Sequence, residues 1–385
     1  MIGLGLKADQ RQAYLRQLTA THQMRTTVRV LDLDGDTLAN VSDRLLSGQV
    51  NLDSTGETDR QCSVQIDDPD HDLHMDSDAP GAGALYADRM LRVDYGVYVD
   101  ELARWVDVPV FTGPIATMAR NGDTVDLGCL GKEHLAKGQA WRPMQLRKGM
   151  YTLNAIKAVL RERAGETQFA FPSSSARLAK AKLPDTVSVG PLASPWAVAR
   201  QLAASINGHL YYDGAGYCRL RVRPTTSCLT FNESKVLSDP QVTYDLSTIV
   251  NTVWVRGGKP KGAKRAVSAR VTASRSHPLS AWRLGRNGVP RFYVTVVDND
   301  KLRSATRART VAKRTLRTHL LEGVSCTFDA LPMPHLEPLD VVRVATDTTS
   351  ITFVLHQASI PLTHDGSMSV GHNRRVTPRK KRIRG

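Results

Sequence analysis

The chain has few of the features that mark secreted, disulfide-bonded or membrane-spanning proteins. No apolar run approaches the ~18 residues that a membrane-spanning helix needs. The five cysteines are scattered, odd in number and free of Cys-x-x-Cys spacing, which argues against a disulfide framework or a zinc site. The N-terminus lacks a charged region followed by an apolar region and a cleavage site. We therefore expect a globular protein, without membrane insertion, that is initially kept in a cytoplasm.

Motifs of catalysis are also missing. The sequence contains no His-Glu-x-x-His or Gly-x-Ser-x-Gly motif. The segment GCLGKEH resembles a phosphate-binding loop, but Asp126 stands where the first glycine should be, and Glu133 replaces the hydroxyl residue that holds magnesium. His71 and His74 lie among carboxylates that could bind a divalent ion, yet no strand or helix pattern holds this loop, which favours an acidic surface loop. We predict no enzyme, catalytic residue, cofactor or metal.

The segment LDLDGDTL, Leu31 to Leu38, has three interpretations. Asp32 resembles the nucleophile of haloacid-dehalogenase-type phosphatases, but such a strand must be buried on both faces and an arginine interrupts this one. A calcium loop requires glycine at its sixth position and glutamate at its twelfth, where this chain has Thr37 and Asp43. Asp34-Gly35 is a strong signal for a hairpin turn, so we favour the hairpin.

Charge is distributed very unevenly along the chain. Residues 1–100 contain 9 Lys/Arg and 17 Asp/Glu, a net charge of −8. Residues 256–317 contain 17 Lys/Arg and only two acidic residues, a net charge of +15, which equals the net charge of the whole chain. This asymmetry indicates an acidic partner, nucleic acid or a charged surface within an assembly, although a solvated face without a partner stays an alternative.

The first third of the chain has the pattern of half-buried antiparallel strands. In LRVDYGVYV, alternate residues from Leu91 to Val99 are apolar, and turn residues separate this segment from similar ones. Residues 25–140 are therefore predicted to form a small antiparallel β-barrel or sandwich. Residues 1–24 are predicted to form a helical arm.

Helical patterns begin after residue 140. TLNAIKAVLRERAG is predicted to be a helix with Thr152 as its cap and Gly165 as its end. A second helix is predicted after Ser194, and the following hairpin turns at Asp213-Gly214. Residues 141–245 are therefore expected to form an α+β domain.

Residues 246–375 are predicted to form a second β-barrel domain, whose sheet is assembled from residues 246–258 and 322–375. A basic loop and the helix 304–322 are inserted between these strands. Apolar and small residues lie on one side of this helix, and arginines on the other. The predicted packed face is Ala308, Ala312, Thr315, Leu316 and His319, and the basic stripe is Arg303, Arg307, Arg314 and Arg317. Residues 376–385 form a basic tail for which we expect disorder.

The order of these parts resembles the tail hub, or baseplate hub, proteins of tailed bacteriophages, often called minor tail proteins. The resemblance covers nearly the whole chain from about residue 25. It depends on VFTGPIATM (Val110 to Met118), TLNAIKAVL, VNTVWVRGG (Val250 to Gly258), the basic helix and LPMPHLEPLDVVRV (Leu331 to Val344). It implies a mainly-β α+β fold with two small antiparallel barrels that flank α+β domains. The strongly positive segment is not a feature that the family leads us to expect.

The resemblance also implies a function and partners. It implies a non-enzymatic virion protein at the distal end of the tail, assembled in the host cytoplasm, that forms a ring around the DNA channel. The ring is implied to be a homotrimer whose two barrels alternate around a pseudo-sixfold axis. The implied partners are a distal tail protein or tail tube ring, the tape measure protein, tip or receptor-binding proteins, and phage DNA in transit.

A second hypothesis belongs to another class of function. The basic segment 256–317, with Arg303, Arg307, Arg314 and Arg317, could bind nucleic acid through its phosphates without sequence preference. In either hypothesis the four arginines are the candidate channel-facing or partner-facing residues.

Overall fold

A computed structural model describes residues 4–375 apart from residues 57, 74–84, 86–88, 139–141, 173–176, 207, 223, 225, 245–248, 261, 300–301 and 323. The predicted basic tail, residues 376–385, lies outside this set. The chain divides into two compact units. Unit one comprises Met1–Asp239, Phe328–Ser350 and Leu355–Val370, and unit two comprises Pro240–Thr327, Ile351–Val354 and Gly371–Gly385.

Strands account for 41% of the residues and helices for 19%, which confirms the predicted mainly-β α+β class. The helices are α1 Ala8–Gln17, α2 Thr152–Ala164, α3 Pro195–Ser205 and α4 Ala305–Glu322. The strands of the first half are β1 Met24–Leu31, β2 Thr37–Asn40, β3 Leu45–Asp53, β4 Arg60–Asp67, β5 Met90–Val99, β6 Arg104–Asn121, β7 Thr124–Leu130, β8 Met144–Leu146, β9 Phe169–Ala170, β10 Val187–Val189, β11 Gly208–Tyr212 and β12 Cys218–Val222. Those of the second half are β13 Leu229–Asn232, β14 Gln241–Tyr244, β15 Thr252–Gly257, β16 Ser268–Thr272, β17 Val294–Asn299, β18 Val324–Ala330, β19 Val341–Ala345, β20 Ser350–Val354, β21 Gln357–Pro361 and β22 Met368–Arg375.

Unit one is built on a strongly curled antiparallel sheet. Eight successive strands of this sheet lie in the order β21-β3-β4-β7-β6-β5-β1-β2. The long strand β6 pairs with β5 up to Pro114 and with β7 from Ile115, and an irregularity near Thr117 marks the bend. Thr26 on β1 donates a 2.6 Å hydrogen bond to the carbonyl oxygen of Leu362, just beyond β21. Strand β1 therefore approaches the segment that follows β21, but the two are not paired as strands in the described residues, and a closed barrel is not confirmed.

The hairpin interpretation of LDLDGDTL agrees with the structure. One carboxylate oxygen of Asp32 accepts hydrogen bonds from the backbone N–H groups of Asp34, Gly35 and Asp36 at 2.8–3.0 Å. Gly35 has φ +99°, a conformation that favours glycine. β1 and β2 then pair on either side of this turn. The Asp32 carboxylate therefore stabilises a turn.

The α+β part of unit one packs α2 and α3 around one apolar core. Ile156, Val159 and Leu160 of α2 and Trp196 of α3 are buried in this core. The predicted start of α3 is right, because Ser194 caps the helix and its hydroxyl oxygen accepts a hydrogen bond from the backbone N–H of Ala197 at 3.3 Å.

The predicted cap of α2 is wrong. Tyr151 occupies the cap position without a capping side chain, and Thr152 is the first helical residue. Its side chain is buried, so packing against the core overrides the capping preference of threonine. The predicted end is right, since Gly165 adopts φ +67°.

Unit two contains a three-stranded sheet with α4 on one face. β15 lies in the centre, pairs antiparallel with β16 and pairs parallel with β17. This pairing differs from the expected sheet of residues 246–258 with 322–375, because within the described residues β15 has only β16 and β17 as partners. The inserted segment thus supplies the partner strands of β15, and the expected second barrel lacks its first strand. The predicted domain boundaries stay predictions.

A buried ionic network connects distant segments of unit one. Arg60 on β4 contacts Glu337 at 2.6 Å and donates to the carbonyl oxygen of Val110 on β6 at 2.9 Å. Arg221 on β12 contacts Asp340 at 2.9 Å, and an Asp340 oxygen accepts the backbone N–H of Glu337. Burial raises the pKa of Glu337, and the positive charge of Arg60 opposes that shift. The network therefore joins β4, β6 and β12 to residues 337–340.

We predict that Arg60→Met lowers the free energy of unfolding by roughly 3–5 kcal/mol, because it leaves Glu337 buried without its partner charge. Arg60→Met/Glu337→Leu should recover most of this loss. Arg16→Met is the matched control, since Arg16 contacts Glu101 at 2.7 Å but both side chains are more than half exposed. Urea unfolding monitored by circular dichroism measures the effects. Equal destabilisation by Arg60→Met and Arg16→Met would contradict the proposed weight of the buried pair.

Candidate interaction surfaces

The helix α4 has a packed face of small residues. Ala308, Ala312 and Leu316 are buried and form a core with Val253 and Val255 of β15. Ala308 donates its backbone N–H to the Ser304 carbonyl oxygen at 2.9 Å, which places the start of the helix at the predicted position. His319, predicted to lie on the packed face, is half-buried. Small side chains let the helix approach the sheet closely, so this face has little room for larger residues.

The four candidate arginines lie on the exposed side. Arg307, Arg314 and Arg317 are exposed on α4, and Arg303 is exposed just before the helix begins. Exposure is the expected outcome for guanidinium groups, because burying them without acceptors would be costly. Whether these arginines face a partner or a channel stays a prediction.

The other face of the three-stranded sheet carries exposed apolar groups together with arginines. Trp254 in the central strand β15 lies opposite Arg270 of β16 on one side and opposite Val296 of β17 on the other. Trp254, Phe292, Val294 and Val296 are each 41–50% exposed. We name this surface the arginine–aromatic face and define it as Trp254, Arg256, Arg270, Arg275, Trp282, Phe292, Val294 and Val296.

Arginine side chains lie over the aromatic rings of this face. The guanidinium carbon of Arg270 is 5.8 Å from the ring centre of Phe292, and that of Arg275 is 4.8 Å from the ring centre of Trp282. The rings of Trp282 and Phe292 meet edge to face at 6.0 Å. Cation–π contacts of this kind hold the arginines in place while leaving their charge exposed.

Asp298 is the one acidic side chain on β17, and it contacts Arg256 at 2.7 Å. The hydrogen bond from Arg256 holds the pKa of Asp298 below its usual value. This pair cancels one positive charge at the end of the sheet, so the remaining charge of the face comes from Arg270 and Arg275.

Sequence reasoning missed the arginine–aromatic face. The segments VNTVWVRGG and RFYVTVVDND have the alternation of apolar and polar residues that is typical of strands, and this alternation is the signal that the sequence offers. Period-2 alternation shows that two faces differ, but it does not show which face a helix covers. The face became identifiable only once α4 was placed against Val253 and Val255.

Lys132 and His71, which belong to the candidate phosphate-binding and metal-binding motifs, each contact a carboxylate of the fold. Lys132 is buried, and its Nζ contacts the Glu166 carboxylate and the Gly216 carbonyl oxygen, both at 3.2 Å. Burial, with the nearby charge of Asp59, raises the pKa of Glu133 to about 7. His71 contacts Asp123 on the surface at 3.3 Å, and His74 lies outside the described residues. In the described part of the chain, no group of three or more metal-binding side chains occurs.

The helices in the described ranges are also too short or too polar to span a membrane.

Three solved structures share the fold over almost their whole length. A 43 kDa tail protein of prophage MuSo2 from Shewanella oneidensis superposes with a TM-score of 0.64 at 10% identity, covering 92% of this chain and 98% of its own. A tail protein from Neisseria meningitidis gives 0.61 at 12% identity and covers 92% and 96%. The prophage tail protein gp18 from Listeria monocytogenes gives 0.54 at 10% identity and covers 90% and 95%. No family model and no curated protein matches the sequence.

We predict that Ala312→Leu destabilises the protein by about 1–3 kcal/mol, because the larger side chain overpacks the contact between α4 and β15. Lys313→Ala is the control, since Lys313 is exposed on the same turn and its truncation should leave the unfolding midpoint unchanged. Thermal and urea unfolding of both variants provide the measurement. If Ala312→Leu unfolds at the same midpoint as the unchanged protein, α4 is not packed as described.

Proposed function

We propose that this protein is a structural component of a bacteriophage tail. The observation that carries the proposal is the end-to-end likeness in fold to three prophage tail proteins, in which at least 90% of each chain is covered. A likeness in fold over the whole chain is more informative than a likeness over one common module, because it covers the curled sheet, the α+β part and unit two together.

The finer proposal is a hub at the distal end of the tail. It is a homotrimeric ring around the DNA channel that connects the tail tube or distal tail protein to the tip or receptor-binding proteins, beside the tape measure protein. The exposed arginines lie on the surface of a helix, and the exposed aromatic side chains lie on the surface of a sheet. Such surfaces suit a protein that assembles with other proteins. Stiff curled sheets make walls, and complementary surfaces then determine assembly.

A proteomic and imaging experiment tests this proposal. Phage particles that carry an epitope-tagged copy of the chain should bind gold-labelled antibody at the tail end distal to the head, and quantitative mass spectrometry should count three copies per tail. Loss of the gene should give particles without a complete tip. Absence of the chain from purified particles, or label along the whole tail, would contradict the hub assignment.

A second candidate function is sequence-independent nucleic-acid binding. The exposure of Arg303, Arg307, Arg314 and Arg317 favours it, because phosphate-binding side chains must reach the ligand. The net charge of +15 in residues 256–317 also attracts a polyanion. In the hub, the same charge could face DNA in transit, which requires only weak contact.

The two functions differ in the salt dependence of DNA binding. For the hub we expect duplex DNA to bind at about 50 mM salt and to be released by about 200 mM, since few phosphates are neutralised at once. Changing Arg303, Arg307, Arg314 and Arg317 to Glu should abolish even this weak binding. The control changes four exposed cations of unit one, Arg104, Arg142, Arg147 and Lys148, to Glu. Tight retention at 200 mM that only the first variant loses would favour the dedicated binder.

A further inference from the structure

The arginine–aromatic face has the composition of a protein-binding surface. Trp254, Phe292, Val294 and Val296 expose a contiguous apolar area on a sheet, and soluble proteins rarely expose such areas without a partner. Tryptophan and arginine are the residues that most often dominate binding energy at protein interfaces. Val294 and Val296 on the neighbouring strand β17 favour a packed protein partner over a stack of nucleic-acid bases, which requires planar groups.

A surface with the opposite charge lies on unit one. The hairpin of β1 and β2 exposes Leu33 and Leu38, and Leu46 at the start of β3 is also exposed, at 48–51% each. Asp34 and Asp36 at the tip of the hairpin are exposed, and residues 30–43 contain no lysine or arginine. We name this surface the acidic hairpin and define it as Leu33, Asp34, Asp36, Leu38, Asp43 and Leu46.

The position of the acidic hairpin makes it accessible to a partner. β2 is the last strand on the described path of its sheet, so its outer edge has backbone groups without strand partners. Leu38 on β2 provides an exposed apolar group at that edge, and Asp34 and Asp36 in the preceding turn provide charge. Interfaces commonly have this arrangement of an apolar core and a polar rim.

We propose that the arginine–aromatic face of one copy binds the acidic hairpin of a second copy. Each surface combines exposed apolar side chains with a net charge, since Asp298 balances only Arg256 on the first surface and Arg44 beside the second is held by Asp68 and Asp72. The two net charges are opposite, which favours this pairing over pairing of either surface with itself. Because the two surfaces differ, the contact is head to tail, and such contacts generate rings when the rotation closes. The inference rests on the proposed role in a tail ring and identifies the surfaces that close it.

Charge reversal on each surface tests the pairing. Variant A carries Arg270→Glu/Arg275→Glu, and variant B carries Asp34→Lys/Asp36→Lys. All four side chains are exposed, and the Asp32 carboxylate that stabilises the turn is retained in both variants. Native mass spectrometry and analytical ultracentrifugation measure the oligomeric state, and circular dichroism with thermal unfolding verifies that each variant is folded.

The proposal predicts a specific set of masses. The unchanged protein forms a closed oligomer whose dissociation increases between about 50 and 500 mM salt, as expected for charged contacts. Variants A and B are each monomeric. An equimolar mixture of A and B assembles again into oligomers in which A and B alternate, because the acidic hairpin of A complements the arginines of B and the new glutamates of A complement the new lysines of B. The variant with all four changes recovers the closed oligomer.

Several results would overturn the pairing. A monomeric unchanged protein would show that a different occupant covers the face. Binding of a single-stranded DNA oligonucleotide that is lost in Trp254→Ala, without any oligomer, would assign the face to nucleic acid. Oligomers of unchanged mass in A and B would place the contact elsewhere. If tagged A and B still assemble into tail tips, the tail function stands and only this interface fails.

Discussion

The buried ion pair between Arg60 and Glu337 is the constraint on which unit one depends. The two side chains are 277 positions apart in the sequence and are each 2% exposed. Isolated buried charges are very costly, so neither residue can be accommodated unless the other is in place. Residues 337–340 must therefore return to β4 before the sheet is complete. This requirement explains why a late segment of the chain belongs to the same compact unit as the first strands.

Further contacts spread this constraint through the unit. Arg221 and Asp340 bring β12 of the α+β part to the same place, and His209 on β11 contacts Asp59, beside β4, at 2.9 Å. The curled sheet and the α+β part are thus joined by polar groups as well as by apolar packing. In unit two, by contrast, the ion pair between Arg256 and Asp298 lies at the surface, with both side chains more than half exposed. The core of unit two depends on small side chains of α4, and the arginines of that helix are exposed. This arrangement suits a unit whose surface contacts a partner.

Some of the structure could be predicted from the sequence because local chemistry determines it. Asp34-Gly35 specified the turn after β1, Ser194 the start of α3, and Gly165 the end of α2. The pairing of β15 with β17 could not be predicted, because a parallel pair depends on a connection of some 36 residues and has no local signal. The exposed arginines on α4 followed from helical periodicity, whereas Trp254 and Val296 became surface residues only through the position of α4.

Cryo-electron microscopy of the tail tip at side-chain resolution would locate this chain and its contacts in the assembled particle. If the chain is a hub, the map should contain three copies in a ring at the distal end, each with the curled sheet, the α+β part and the three-stranded sheet with α4. Between neighbouring copies, Arg270 and Arg275 of one should lie within contact distance of Asp34 and Asp36 of the next. A map in which the chain is absent from the tip, or in which the fold occupies the head or the length of the tube, would rule out a hub at the distal end.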